Sequence, residues 1–140
     1  FELDPEAIEI AKANLDHYEL TDFVKINNVD ILELFADEKC SFLNYFDTVI
    51  MNPPFGTKNN EGIDMKLLDC CILAVKAGGV VYSLHKDSTS GYITKYVGEH
   101  HKDCSIQLLS KISFDLANTY KFHKKKSAVT EVVLVKITKT

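Results

Sequence analysis

Four consecutive residues, Asn52-Pro53-Pro54-Phe55, combine the parts that a planar nitrogen nucleophile needs. The Asn52 side-chain oxygen and the Pro53 backbone carbonyl form an acceptor pair able to take both hydrogens of an exocyclic amine. Such a pair favours the pyramidal, more nucleophilic nitrogen as the transition state is approached. Two prolines restrict the backbone and hold the acceptors in place. Phe55 offers a flat ring for stacking on a base, worth about 1–3 kcal/mol. The chemistry that suits these parts is in-line attack on a sulfonium methyl, where catalysis is mostly positioning. It requires no acid–base dyad, and none is evident. On its own the tetrapeptide reads equally well as a rigid turn.

A second group is basic. Lys121, Lys124, Lys125 and Lys126 can meet phosphate, and the interleaved Phe122 and His123 can stack on bases or ribose. An isolated lysine run is also what a solvated loop looks like. Lys58, close to the tetrapeptide, is a weaker phosphate candidate. Glu2 lies in the strand-like start of the chain, and Asp30 follows a short strand-like stretch. Taken singly, Glu2 is a surface charge and Asp30 a helix cap. His17, His85, His100 and His101 show no metal-ligand spacing and receive no role. Cys40, Cys70, Cys71 and Cys104 include no CxxC pair, so they read as buried free thiols in a reducing compartment.

The elements that must position these residues alternate between strand and helix, which predicts α/β with a largely parallel sheet. Residues 1–3 look like the end of a strand. Asp4 then caps a helix with Pro5 at its first position, and Ala7, Ile8, Ala11 and Leu15 form its apolar stripe. A short strand is expected over 24–27 and a brief helix over 31–35. Residues 46–51 are nearly all apolar, as in a central parallel strand. The prolines stop this strand, so Asn52 falls at its carboxyl end, where open α/β sheets bind ligands. A helix over 64–76, ended by Gly78-Gly79, precedes a buried strand over 80–84. A helix over 88–100 and two last strands, 106–112 and 132–137, complete the pattern. The basic run lies in the loop between those two strands.

The 140 residues amount to one domain. An apolar content of 46% with 26% charged residues is enough for a packed core and argues against disorder. Sixteen Lys and Arg against twenty Asp and Glu, net −4, exclude a generally basic nucleic-acid binder but not a local basic patch. No apolar run is long enough to span a bilayer, so no membrane role is expected. The acidic start, Phe1-Glu2-Leu3-Asp4, has no Met and no basic leader. It reads as the interior of a longer protein.

The sequence resembles the class I methyltransferases that use S-adenosyl-L-methionine and carry an (Asp/Asn)-Pro-Pro-aromatic motif. More narrowly, three stretches resemble the methyltransferase-like family that makes N6-methyladenosine in small-subunit ribosomal RNA. These are Asn52-Pro53-Pro54-Phe55-Gly56-Thr57-Lys58-Asn59-Asn60, Tyr82-Ser83-Leu84-His85-Lys86, and Tyr120-Lys121-Phe122-His123-Lys124-Lys125-Lys126-Ser127. The resemblance runs over all 140 residues. It implies a Rossmann-like sheet, mostly parallel with an antiparallel C-terminal hairpin, and makes residues 1–140 the C-terminal part of a single methyltransferase domain. By resemblance Asn52, Pro53, Pro54 and Phe55 are catalytic, with Asn52 also on the cofactor side. Glu2 would hold the cofactor ribose, Asp30 would lie near the adenine amine, and Leu3 and Ile31 would flank the adenine. Lys58 and residues 121–126 would contact RNA.

One departure stands out. The family's glycine-rich loop and first strand are absent from this chain, which puts cofactor binding by these residues alone in doubt. The resemblance further implies ribosomal RNA and a small zinc-binding activator subunit as partners, with an intracellular setting in nucleus or cytoplasm. Two other functions fit some of the same residues. A protein-glutamine N5-methyltransferase also uses Asn-Pro-Pro-aromatic, usually with Tyr, and would not need the lysine-rich loop. A non-catalytic RNA-binding relative could retain the fold without the glycine loop.

Overall fold

The computed structural model describes residues 1–54, 62–116 and 128–140. They divide into two compact units, Phe1–Ser41 and Phe42–Thr140.

The first unit holds two helices, α1 (Pro5–His17) and α2 (Ile31–Ala36). Each begins the way the sequence predicts. The Asp4 carboxylate accepts from the Glu6 amide at 2.9 Å and Pro5 occupies the first turn of α1. The Asp30 carboxylate accepts from the Leu32 amide at 2.8 Å and caps α2. Both satisfy amides that a helix start leaves without partners. Ile8 is buried on α1, with Ala7, Ala11 and Leu15 half-buried along the same stripe.

The two strands expected before these helices shrink to one parallel bridge between Glu2 and Asn28. The Glu2 amide donates to the Asn27 carbonyl at 3.0 Å and the Val29 amide to the Glu2 carbonyl at 3.2 Å. Residues 24–27 form no strand, and Phe23 is 83% exposed. An apolar stretch becomes a strand only where a neighbour supplies a continuous ladder.

The second unit contains β1 (Phe46–Met51), α3 (Ile63–Ala74), β2 (Val75–Lys86), a 3-10 turn (Asp87–Thr89), α4 (Ser90–His100), β3 (Cys104–Leu116) and β4 (Ala128–Lys139). The sheet order is β1-β2-β4-β3. β1 and β2 are parallel, while β4 runs antiparallel to β2 and to β3. This mixed sheet carries the antiparallel C-terminal pair that the sequence predicts. Leu68, Ile72, Val75, Val81, Ile93, Val97 and Ile137 form the core under α3 and α4.

Two local expectations change. The helix ends at Ala74 instead of running on to residue 76, and the glycines serve β2. Phe46 pairs with Val75 but Thr48 with Val80, so β2 carries extra residues across from Asp47. Gly78 takes φ +79° within this bulge. A Cβ on Gly79 would sit 2.6 Å from Val75 Cγ2 and 2.7 Å from the Asp47 carbonyl oxygen. Glycine is needed here for close backbone approach, not for a helix stop. Lys139 takes over the helix end, donating from Nζ to the Ile72 carbonyl at 2.9 Å and the Val75 carbonyl at 3.2 Å.

β1 has the apolar content of a central strand and lies at the edge of this sheet, in keeping with the absence of the family's first strand from these residues. Val49 and Met51 pack on the core while Ile50 is 81% exposed. Its run of apolar residues reports side-chain hydrophobicity and does not say how many neighbouring strands are present.

Candidate functional site

β1 delivers Asn52. Met51, the last strand residue, pairs with Ser83 of β2. The chain then leaves the sheet with Asn52 exposed, Pro53 buried and Pro54 exposed. One proline anchors the turn while the amide-bearing residue faces outward. Its place at the carboxyl end of a parallel strand is where such sheets bind ligands. Phe55 and Lys58 lie outside the described residues, as do Lys121, Phe122, His123, Lys124, Lys125 and Lys126.

Next to this turn the core row on β2 changes character. Val81, Ser83 and His85 alternate on the face that α3 covers, and all three are fully buried. The row passes from apolar to polar as it nears the carboxyl end. Ser83 Oγ lies 2.9 Å from His85 Nε2. On the other side of the ring, Nδ1 lies 3.6 Å from Oδ2 of Asp64, in the first turn of α3. That separation is beyond a hydrogen bond, and Nδ1 has no partner among the described residues. Burial holds the imidazole below its ordinary pKa of 6.5, against the opposing pull of the Asp64 carboxylate. Asp87 follows directly, its Oδ2 paired with Lys111 Nζ at 2.8 Å and its Oδ1 buried without a partner among the described residues.

Residue types and spacing alone assign His85 no role. A signal was available, however: Ser and His at alternate positions of an otherwise apolar strand must share the buried face, and buried polar groups are the informative ones. Asp64, far back along the chain in a different element, could not be assigned to them without the fold.

The other predicted residues stand in the first unit. Glu2 Oε1 accepts from the amides of Leu3 and Asp4 at 2.8 and 2.9 Å. Asn28 Nδ2 donates to the Glu2 carbonyl at 3.1 Å, and through this bridge Glu2 and Asp30 come to stand at the ends of two paired segments. Each segment leads into a capped helix. Leu3 is 61% exposed and Ile31 half-buried. Asp30 is thus a cap through Oδ1, as one sequence interpretation held. The acceptor set suits a nucleoside. Two exposed or half-buried carboxylates can accept from ribose hydroxyls or an adenine amine, and an exposed leucine can lie against a base.

A third polar cluster is structural. Asp69 of α3 accepts from the Tyr96 hydroxyl at 2.9 Å and lies 2.8 Å from His101 Nε2, tying α3 to α4 and its end. Burial and the Asp69 carboxylate raise the Tyr96 phenol to about 12. Cys40, Cys70 and Cys71 are buried and outside any disulfide, as expected, and Cys104 is half-buried. Among the described residues no group of side chains could hold a metal ion, and no helix is long and apolar enough to cross a membrane.

Comparison with known proteins gives this geometry a context. Residues 1–70 match the UPF0020 family, described as RMKL-like, methyltransferase domain. The rRNA N(6)-adenosine-methyltransferase METTL5 of Danio rerio is 38% identical, over 100% of this chain and 63% of its own length. The Drosophila melanogaster rRNA N(6)-adenosine-methyltransferase Mettl5 is 39% identical, over 94% of this chain and 58% of its own length. The chain thus spans about three fifths of the curated relatives it matches. The crystal structure of PH1948 from Pyrococcus horikoshii, provisionally named an RNA methyltransferase, has a TM-score of 0.75 at 26% identity, covering 99% of this chain and 61% of its own.

Proposed function

Because the chain belongs to the UPF0020 family of RMKL-like methyltransferase domains, we propose that it works as an S-adenosyl-L-methionine-dependent methyltransferase acting on N6 of an unpaired adenine in small-subunit ribosomal RNA. The observation that carries this is the turn after β1, where Pro53 is buried and Asn52 is exposed at the carboxyl end of a parallel strand. The names of the zebrafish and fruit-fly relatives support the choice of acceptor.

S-adenosyl-L-methionine supplies an electrophilic methyl group on a sulfonium. Glu2, Asp30, Leu3 and Ile31 are the residues of this chain that would hold its nucleoside end. Asn52 and the Pro53 carbonyl accept the two amine hydrogens of the target adenine and aim the nitrogen lone pair. Buried Pro53 keeps that acceptor pair from relaxing, so the orientation is set before the substrate arrives. Phe55 stacks on the base, which must be unpaired or flipped out. Lys58, Lys121 and Lys124 to Lys126, with Phe122 and His123, hold the RNA backbone and neighbouring bases. Ribosomal RNA and a small zinc-binding activator subunit are the proposed partners, with an intracellular location in nucleus or cytoplasm where ribosomal RNA is made and used.

The test is methyl transfer from labelled cofactor to small-subunit ribosomal RNA by the full-length protein and its Asn52→Ala variant. Activity is expected to fall by roughly two decades or more, in line with loss of a transition-state acceptor, with an unchanged circular dichroism spectrum. Activity within about threefold of wild type would remove Asn52 from the mechanism. Transfer to a glutamine-containing peptide, with none to RNA, would overturn the choice of substrate.

A further inference from the structure

Tyr92, Tyr96 and His100 stand four residues apart on α4, so successive turns of the helix set their rings one above another. The centroids lie 6.0 Å apart from Tyr92 to Tyr96 and 4.4 Å apart from Tyr96 to His100, with an interplanar angle of 34° in each pair. The rings form a short leaning column. Ile93 and Val97, one position further on in each turn, are fully buried in the core, so the column stands on the flank beside the buried face. That flank is turned toward α3, because the Tyr96 hydroxyl donates to Asp69 at 2.9 Å. The other Asp69 oxygen lies 2.8 Å from His101 Nε2, so the carboxylate that holds the middle ring is itself held. Tyr92, at the front, is 59% exposed.

A single exposed tyrosine is ordinary surface. A row of rings with its middle member tied down is a preorganised set of flat faces, which costs little entropy to use. Its place also matters. α4 begins where β2 ends, after the turn at Asp87–Thr89. β1 and β2 are parallel and Met51 pairs with Ser83, so the first turn of α4 and Asn52 stand at the same end of the sheet. Tyr92 is the ring of the column nearest that end. The acids beside the column are matched, Glu99 by Lys95 at 3.9 Å and Asp87 by Lys111 at 2.8 Å. Lys66, one turn before Asp69 on α3, and Lys102, just past the last ring, are exposed. In a chain of net −4, these pairings and free lysines make the flank one along which a phosphate chain meets little repulsion.

We propose that Tyr92, with Tyr96 and His100 stacked behind it, is a platform for an unpaired base of the RNA strand beside the target adenine. A base laid on Tyr92 continues the column, and Asp69 keeps the column from yielding. Every base has a π face, so the platform adds affinity and direction without choosing sequence. The site rests on the RNA substrate proposed above and gives it a contact independent of the lysine-rich loop.

The test uses the full-length protein, a short single-stranded oligoadenylate and the same strand held in a duplex. No tryptophan occurs in these 140 residues, and the indole of a Tyr92→Trp variant is read as the difference from wild type. The single strand should quench its fluorescence, and the duplex far less, because paired bases hide their faces. Tyr92→Ala should weaken binding of the single strand by roughly five- to a hundredfold, with an unchanged log–log salt slope since no phosphate contact is lost. Tyr92→Phe should stay within about threefold of wild type. Equal quenching by duplex and single strand would overturn the platform, as would Ala and Phe variants that bind alike. Shielding of the indole by rising protein concentration without RNA would assign this flank to a second copy of the chain and also overturn it. So would a loss of affinity that tracks melting temperature alone. Wild-type protein that binds oligoadenylate through Tyr92 but methylates no ribosomal RNA would support the platform and overturn the proposed reaction. Methylation of ribosomal RNA with binding untouched in Tyr92→Ala would do the reverse.

Discussion

Asn52 and Pro53 are chain neighbours with opposite surroundings, one exposed and the other buried. That contrast is what the proposed role of Asn52 requires, an exposed amide beside a buried anchor. His85 illustrates the reverse case, a residue of chemically active type sealed away from solvent. Its depressed pKa makes a prediction about stability. The folded state disfavours the imidazolium, so the unfolded chain binds the extra proton first. Stability is therefore complete above the ordinary value of 6.5 and falls as pH drops below it, until the folded-state pKa is passed. The slope from this one group is at most about 1.4 kcal/mol per pH unit. Urea unfolding of wild type and His85→Leu between pH 8 and pH 5 checks it (those pH values being about the working range of the linkage). The wild-type curve should steepen below 6.5 and the variant should lack that increment; parallel curves would show that His85 does not titrate on unfolding.

At the scale of elements, two positions separate architecture from chemistry. Asp30 caps α2 through Oδ1 and is also the carboxylate proposed to meet the cofactor adenine. Asp30→Asn retains a good cap but not the charge, while Asp30→Ala loses both. The Ala variant should lose about 1 kcal/mol of stability and the Asn variant a few tenths. Both should weaken cofactor binding in full-length protein by calorimetry. Cofactor affinity that follows the cap alone would make Asp30 purely structural. Gly79 belongs to the β2 bulge, where a methyl group would meet the Asp47 carbonyl at 2.7 Å and Val75 Cγ2 at 2.6 Å. Gly79→Ala should cost about 1–3 kcal/mol by overpacking, read as a lowered urea midpoint. An unchanged midpoint would mean that β1 and β2 can part there at little cost. Because β1 carries Asn52, the bulge also helps set where that residue emerges.

For the whole molecule, a net charge of −4 requires any grip on RNA to be local. The lysines at 124, 125 and 126 are the densest basic run. Replacing all three with Ala should weaken RNA binding and flatten its log–log salt dependence by up to about three units. Cofactor affinity should stay the same, and an unaltered salt slope would return the run to an ordinary solvated loop. The amino-acid sequence alone determined the helices of the first unit, because caps such as Asp4 and Asp30 and stripes such as Ala7-Ile8-Ala11-Leu15 act over one or two turns. It also placed Asn52 after an apolar strand, since proline punctuation is local. Strand pairing was decided only by tertiary structure. Residues 24–27 form no strand for want of a ladder, and Gly78-Gly79 lie in a bulge and not at a helix end. In the Ser83–His85–Asp64 cluster the alternation of Ser83 and His85 was legible but Asp64 was not, because it joins the strand from a distant helix through one buried ring. Local signals are written in neighbouring residues, whereas pairing and buried polar contacts depend on which distant segment occupies the other side.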